Sequence, residues 1–234
     1  MTTIANNLST ITQRIRNAER QYGRESGSVT LLAVSKTQPL EAVQSAIDAG
    51  QTEFGENQLQ DALTKIEPLR DSAAATLSWH FIGPIQSNKT QPIAQAFDWV
   101  HSIDRGKIAQ RLSSQRPDEA PPLNVCIQVN VSNESTKSGI TIAQVAGLAN
   151  EIRSLPGLRL RGLMAIPARA DDFDGQRAQL RPLKQIFDQL RTDGFDIDTL
   201  SMGMTDDLEA AIAEGSTIVR IGTAIFGPRR TPAR

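Results

Sequence analysis

The sequence predicts an α/β fold, a single-domain parallel (β/α)8 barrel spanning residues 1–234, and three observations carry that expectation. Eight short apolar or β-branched runs recur along the chain, helical patterns separate them, and no linker-like stretch divides them. The runs are Val29 to Val34, Glu53 to Gly55, Trp79 to Ile82, Trp99 to Ile103, Asn124 to Val129, Leu158 to Met164, Thr199 to Met202 and Thr217 to Ile221. Between them lie helical stretches: Leu40 to Ala49 behind Pro39, Ile142 to Ile152, and Gly175 to Leu190. The second and seventh runs are very short, which leaves an open doubly wound sheet as the competing architecture. With 234 residues, 39% of them apolar, the chain can bury one sizeable core.

The ends and the loops follow from local pattern. Ile4, Leu8, Ile11 and Ile15 recur at helical steps, so residues 1–24 read as an amphipathic opening helix. This segment lacks the basic-then-apolar layout of a secretory signal, and no apolar run approaches bilayer length. The stretch from Ser113 to Pro122, holding Pro117, Pro121 and Pro122, reads as a surface loop, and residues 228–234 as a flexible basic tail.

Composition narrows the function. Basic and acidic residues number 25 and 26, so no net field draws the chain to nucleic acid or to an anionic membrane. Arg229, Arg230 and Arg234 read as a solvated tail rather than a nucleic-acid contact. Cys126 is the single cysteine, which excludes an intrachain disulfide and a thiolate zinc site and suits a reducing cytoplasm. It reads as a small core residue. His80 and His101 sit on separate runs without paired ligand spacing, so they are expected as core hydrogen-bonding residues and no metal site is expected.

In a parallel barrel the chemistry gathers where strands end. Lys36 follows Thr30-Leu31-Leu32-Ala33-Val34-Ser35 and shares a strand face with Thr30, Leu32 and Val34. A lysine there is either a dehydrated amine poised to attack an aldehyde or a rim residue reaching solvent. Arg220 stands between Val219 and Ile221 in an otherwise apolar run, and a buried guanidinium needs an acceptor. Gly222 and Thr223 follow it, and Ser201-Met202-Gly203-Met204 ends the preceding run with the same hydroxyl-and-glycine chemistry. Loops after the seventh and eighth strands are where barrels often hold a phosphate. The constellation is an aldehyde-seeking lysine across from a phosphate cradle.

These residues sit in blocks that resemble the family of pyridoxal phosphate homeostasis proteins, whose barrel is similar to the N-terminal domain of alanine racemase. The blocks are Ala33-Val34-Ser35-Lys36-Thr37, Phe54-Gly55-Glu56-Asn57, Trp79-His80-Phe81-Ile82-Gly83 with Asn88-Lys89, and Val100-His101-Ser102-Ile103-Asp104. Further along come Ser135-Thr136-Lys137-Ser138-Gly139, Gly162-Leu163-Met164, Ser201-Met202-Gly203-Met204 and the stretch from Gly215 to Gly227. The resemblance implies that pyridoxal 5′-phosphate (PLP) is the cofactor and that Lys36 forms a Schiff base with it. It further implies that Asn57 lies beside the cofactor, that Ser201, Gly222 and Thr223 hold its phosphate, and that Arg220 donates to its pyridine nitrogen. A guanidinium cannot accept the ring proton, so it disfavours a pyridinium and weakens the ring as an electron sink. Gln38 stands where the family often has a second lysine, and Gln58 where it often has an aromatic. Lys137 reads either as a solvated residue or, by the resemblance, as one with a cofactor-related role.

A two-base racemase needs an acid or base on each face of its substrate, and Lys36 serves only one. Tyr22, the single tyrosine, lies in the opening helix. The expected function is therefore non-catalytic: binding, buffering and delivering PLP in vitamin B6 homeostasis, by a monomeric cytoplasmic protein whose transient partners are apo-enzymes. The alternatives are a weak PLP-dependent amino-acid racemase and a Schiff-base barrel acting on phosphosugars.

Overall fold

The computed structural model describes residues 3–70, 77–132, 134 and 137–228. Eight parallel strands close on themselves: β1 (Thr30–Val34), β2 (Glu53–Glu56), β3 (Ser78–Phe81), β4 (Trp99–Ile103), β5 (Leu123–Gln128), β6 (Leu158–Met164), β7 (Thr199–Ser201) and β8 (Ile218–Ile221). The pairing of β1 with β8, which sets Leu32 opposite Arg220, decides for a barrel over an open sheet. All eight sequence runs are strands, with ends that coincide or differ by one residue. The seventh is short because it meets β8 at one register pair, Ser201 with Ile218. The chain then leaves the sheet into the loop that builds the site.

Around the strands run α1 (Ile4–Gln21), α2 (Leu40–Asp48), α3 (Leu59–Leu69), α4 (Thr90–Ala96), α5 (Gly106–Ser114), α6 (Val145–Arg153), α7 (Phe173–Thr192), α8 (Leu208–Ala213) and α9 (Thr223–Phe226). The opening helix is shorter than residues 1–24. Thr3 caps it by accepting from the Asn6 N–H, and Leu8, Ile11 and Ile15 are its buried face. Its C-terminal end is tied to the barrel by Glu19, which accepts the N–H groups of Gly27 and Val29 at 3.1 and 2.8 Å. At the expected Ser113 to Pro122 loop, α5 takes the first two residues. Arg116 then pins the remainder by donating to the carbonyls of Pro121, Ala94 and Phe97. Of the expected tail, residues 229–234 with their three arginines lie outside the described residues, as do Ser135 and Thr136.

Strand alternation separates two interiors. Outward-facing Ala33, Phe54, Trp79, Phe81, Val100, Val125, Ile127, Leu163, Leu200 and Val219 join the helices in one continuous apolar cluster. The inner face is different in kind. Leu32 packs against Gly55 there, but His80, His101, Ser201 and Arg220, all buried, share the space with it. Barrel interiors are ordinarily filled by layers of branched apolar side chains. A polar column threads this one.

Candidate functional site

The loop after β1 is built to present one side chain. Thr37, directly after Lys36, is held in the left-handed region at φ 63°, a conformation costing about 1–3 kcal/mol for a non-glycine residue. Its N–H donates to Asp61 at 2.9 Å. On the other side of Lys36, Ser35 donates its hydroxyl to Glu56 at 2.6 Å, and its carbonyl accepts from the Lys65 ammonium at 2.9 Å. Lys65 also donates to Glu56 at 2.7 Å and to Asp61 at 2.8 Å. One buried ammonium thus anchors both neighbours of Lys36. Burial pushes the Glu56 carboxyl above its ordinary range despite Lys65 and Ser35. Burial also acts on Asp61, but the hydrogen bonds from Lys65 and Thr37 outweigh it and hold that carboxyl below its ordinary range.

Lys36 lies on the wall of a cavity of about 370 Å³ at the C-terminal mouth of the barrel. Asn57, Arg220, Gly222 and Thr223 share that wall, so five of the six residues singled out in the sequence converge. The volume is within the range of small-molecule sites. Two glycines shape it by close approach. A Cβ on Gly222 would sit 3.1 Å from the Val34 carbonyl oxygen, and one on Gly83 would sit 2.1 Å from the Asn57 carbonyl oxygen. The Oδ1 atom of Asn57 is buried without a hydrogen-bond partner among the described residues. Arg220 donates to the Ser201 carbonyl at 2.6 Å, to the Ser201 hydroxyl at 2.9 Å and to the Ala165 carbonyl at 2.9 Å. Burial lowers its pKa to about 10 against the opposing charge of Asp207, so it stays protonated at neutral pH.

The sixth residue lies elsewhere. Ser201 is fully buried under Arg220, its hydroxyl placed between that guanidinium and His101, and it is not on the cavity wall. From the loop after β7 it is Thr205, with Met204, that lines the wall. Sequence reasoning missed Thr205 because it stopped at Met204, one residue short. Gln38 also lines the cavity, whereas Gln58 is exposed ahead of α3. Lys137 pairs with Glu134 at 2.9 Å and donates to Ser132 at 3.2 Å, away from the wall. Tyr22 stacks on Phe173, also away from it. Burial pushes the Cys126 thiol far up, which makes it an unreactive core residue.

A family model described as "Alanine racemase, N-terminal domain" matches residues 6–230. The pyridoxal phosphate homeostasis protein of Pseudomonas aeruginosa is 56% identical over 229 residues, covering 98% of this chain and 97% of that one. The chain belongs to the pyridoxal phosphate homeostasis protein family. A second member, from Escherichia coli, is 53% identical over 229 residues, with 98% of each chain covered. Among solved structures, PipY of Synechococcus elongatus with PLP bound matches at a TM-score of 0.82 and 32% identity, covering 96% of this chain and all of that one. Membership of the pyridoxal phosphate homeostasis family accords with the resemblance read from the sequence blocks.

His80 and His101 are the buried, hydrogen-bonded residues that the sequence suggests, but the two clusters in which such polar groups gather went unread. The Lys65, Glu56 and Asp61 triad was hidden because Lys65 and Asp61 have the spacing of an ordinary solvated helix pair, and only the packing of α3 on β2 buries Lys65. The polar column had a faint signal: Ser78 and His80, and likewise Trp99 and His101, are two apart and so share a strand face.

Proposed function

We propose that this chain binds PLP covalently through Lys36 and serves as a non-catalytic carrier of that cofactor in vitamin B6 homeostasis. The observation that carries the proposal is the convergence of Lys36, Asn57, Arg220, Gly222 and Thr223 on one cavity wall. The residues fit the group. The unpartnered Asn57 Oδ1 offers an acceptor, Lys36 an amine for an aldehyde, and Arg220 N–H donors beyond the three it spends on Ser201 and Ala165. Thr205, Thr223 and the close-packed backbone at Gly222 would hold the phosphate, and Ser201 would act by bracing Arg220. PLP, when bound, supplies a reactive aldehyde on an electron-withdrawing ring.

The chain's own groups favour storage over turnover. Arg220, protonated at neutral pH, can only donate to a ring nitrogen, which keeps that nitrogen from gaining a proton. Among the residues lining the cavity, Lys36 and Arg220 are the ionisable ones, so neither Tyr22 nor a histidine stands ready as a second base for racemisation. No helix among the described residues is long and apolar enough to cross a membrane. As part of the same proposal, the chain acts as a monomeric cytoplasmic protein whose transient partners are apo-enzymes awaiting cofactor.

Borohydride reduction of the PLP-loaded protein, followed by peptide mass spectrometry, tests the site. The pyridoxyl mass is expected on Lys36 and absent from the Lys36→Ala variant, and its presence only on another lysine overturns the assignment. Deuterium exchange and enantiomer analysis over a panel of L-amino acids tests the carrier function. Rapid inversion of any one of them, lost in Lys36→Ala, establishes a racemase instead.

A further inference from the structure

Between the cavity and the opposite end of the barrel runs an unbroken line of hydrogen bonds. Arg220 Nη1 meets Ser201 Oγ at 2.9 Å, Ser201 Oγ meets His101 Nδ1 at 2.8 Å, His101 Nε2 meets His80 Nδ1 at 2.9 Å, and His80 Nε2 meets Glu53 Oε2 at 2.6 Å. Glu53 opens β2, at the end of the barrel remote from Lys36, and is partly exposed there. His80, His101, Ser201 and Arg220 are buried. The line therefore crosses the interior from β2 through β3 and β4 to β7 and β8.

The proton inventory gives it a direction. A guanidinium only donates and a carboxylate only accepts. Arg220 must donate to Ser201, whose O–H is then available to His101 Nδ1. His101 carries its proton on Nε2 and gives it to His80 Nδ1, and His80 carries its own on Nε2 and gives it to Glu53. With both imidazoles neutral, every donor has an acceptor. Placing a second proton on either ring would strand the Ser201 O–H. Burial first, and with it the guanidinium charge of Arg220, holds His101 well below the ordinary imidazole range, in agreement with a neutral ring. Ser78 Oγ, 3.1 Å from His80 Nε2, also hydrogen-bonds Glu53, whose carboxyl is held below its ordinary range by His80 and Ser78 against the opposing effect of burial.

We propose that Glu53, His80, His101 and Ser201 form a one-way hydrogen-bond relay that orients and polarises Arg220, making Glu53 a positioning residue for the cofactor's ring nitrogen from the far end of the barrel. Linked hydrogen bonds polarise one another in a low-dielectric interior, so the carboxylate is felt along the line. Geometry is the second effect. Ser201 and Ala165 fix the guanidinium plane, and the relay fixes Ser201. The proposal rests on PLP being the ligand at Arg220, but its first test does not.

The chain contains only two histidines, so ¹⁵N spectra of the cofactor-free protein at neutral pH resolve both rings. Both are expected neutral with the proton on Nε2, and a proton on His101 Nδ1, or a charged ring, overturns the relay. In Glu53→Gln, which keeps the shape and removes the charge, the His101 signals are expected to move along with those of His80, although of the two rings residue 53 touches only that of His80. A change that stops at His80 refutes the coupling, and the wild-type tautomers decide the matter if the variant does not fold. In the same variant PLP affinity should fall by roughly threefold to tenfold, the effect of a weakened hydrogen bond to a charged group, while reduction still marks Lys36. Unchanged affinity with shifted His101 signals refutes the link from relay to cofactor. Loss of Lys36 labelling in the wild type would instead refute the PLP assignment.

Discussion

Replacing Lys65 with Met keeps most of the buried stem and removes the ammonium that holds Ser35, Glu56 and Asp61 together. The two carboxylates respond differently. Asp61 is 29% exposed, so losing its partner is screened by water and costs about 1 kcal/mol or less. Glu56 has no exposure, and stranding a buried charge costs about 3–5 kcal/mol unless the group takes up a proton. Burial already raises the Glu56 carboxyl, and without Lys65 it rises further, so protonation limits the loss to about 3–4 kcal/mol at pH 7. At about 2–4 °C per kcal/mol for a chain of this size, the melting temperature should drop by roughly 6–16 °C. The sign of the pH dependence follows. A group whose folded pKa is raised favours the folded state at low pH and loses that contribution as pH rises through the folded value. The gap between variant and parent should therefore narrow as pH falls toward the carboxylate range. Adding Glu56→Gln should recover part of the loss at pH 7, because no charge is then stranded. Calorimetry from pH 5 to 8 on the parent, single and double variants is the assay. A variant melting within about 2 °C of the parent at pH 7, or a gap that widens in acid, would refute the reasoning.

Two further outcomes test the cavity. Gly222→Ala brings a Cβ to 3.1 Å from the Val34 backbone oxygen, which cannot swing aside, so about 1–3 kcal/mol of stability and much of the PLP binding should be lost. Gly147→Ala, in α6 with nothing within 4 Å of the new methyl, should instead stabilise by about 0.5–1 kcal/mol, and equal melting shifts for the two would contradict the close-approach argument. Thr205→Val and Thr223→Val should each weaken PLP by about 1.5–3 kcal/mol, or ten- to a hundredfold, while leaving unphosphorylated pyridoxal nearly unaffected. Ser201→Ala should weaken both ligands alike, because its hydroxyl serves Arg220 and not the wall; titrations that show a phosphate-selective loss for Ser201 would reverse the two roles.

Much of this protein was legible in one dimension because the signals were local. Short apolar or β-branched runs alternating with helical patterns made the eight strands readable, and the isolated charges Lys36 and Arg220 stood out against apolar neighbours. Strand ends in a parallel barrel converge by topology, so knowing that both residues end strands was enough to bring them to one mouth. The rest depended on distances between segments far apart in the chain. Thr205 and Ser201 carry the same chemistry within five residues, and only the turn after β7 puts one residue on the cavity wall and the other beneath Arg220. Lys65 has the sequence of a solvated helix lysine until α3 packs it on Glu56. His80 and His101 could be placed on strand faces, but which atoms they share, and that Glu53 and Ser201 complete their line, was decided by the closed barrel. Local periodicity reports which face a side chain takes. Only closure of the sheet decides what it meets across the interior, where unmatched donors and acceptors are costly enough to fix their partners.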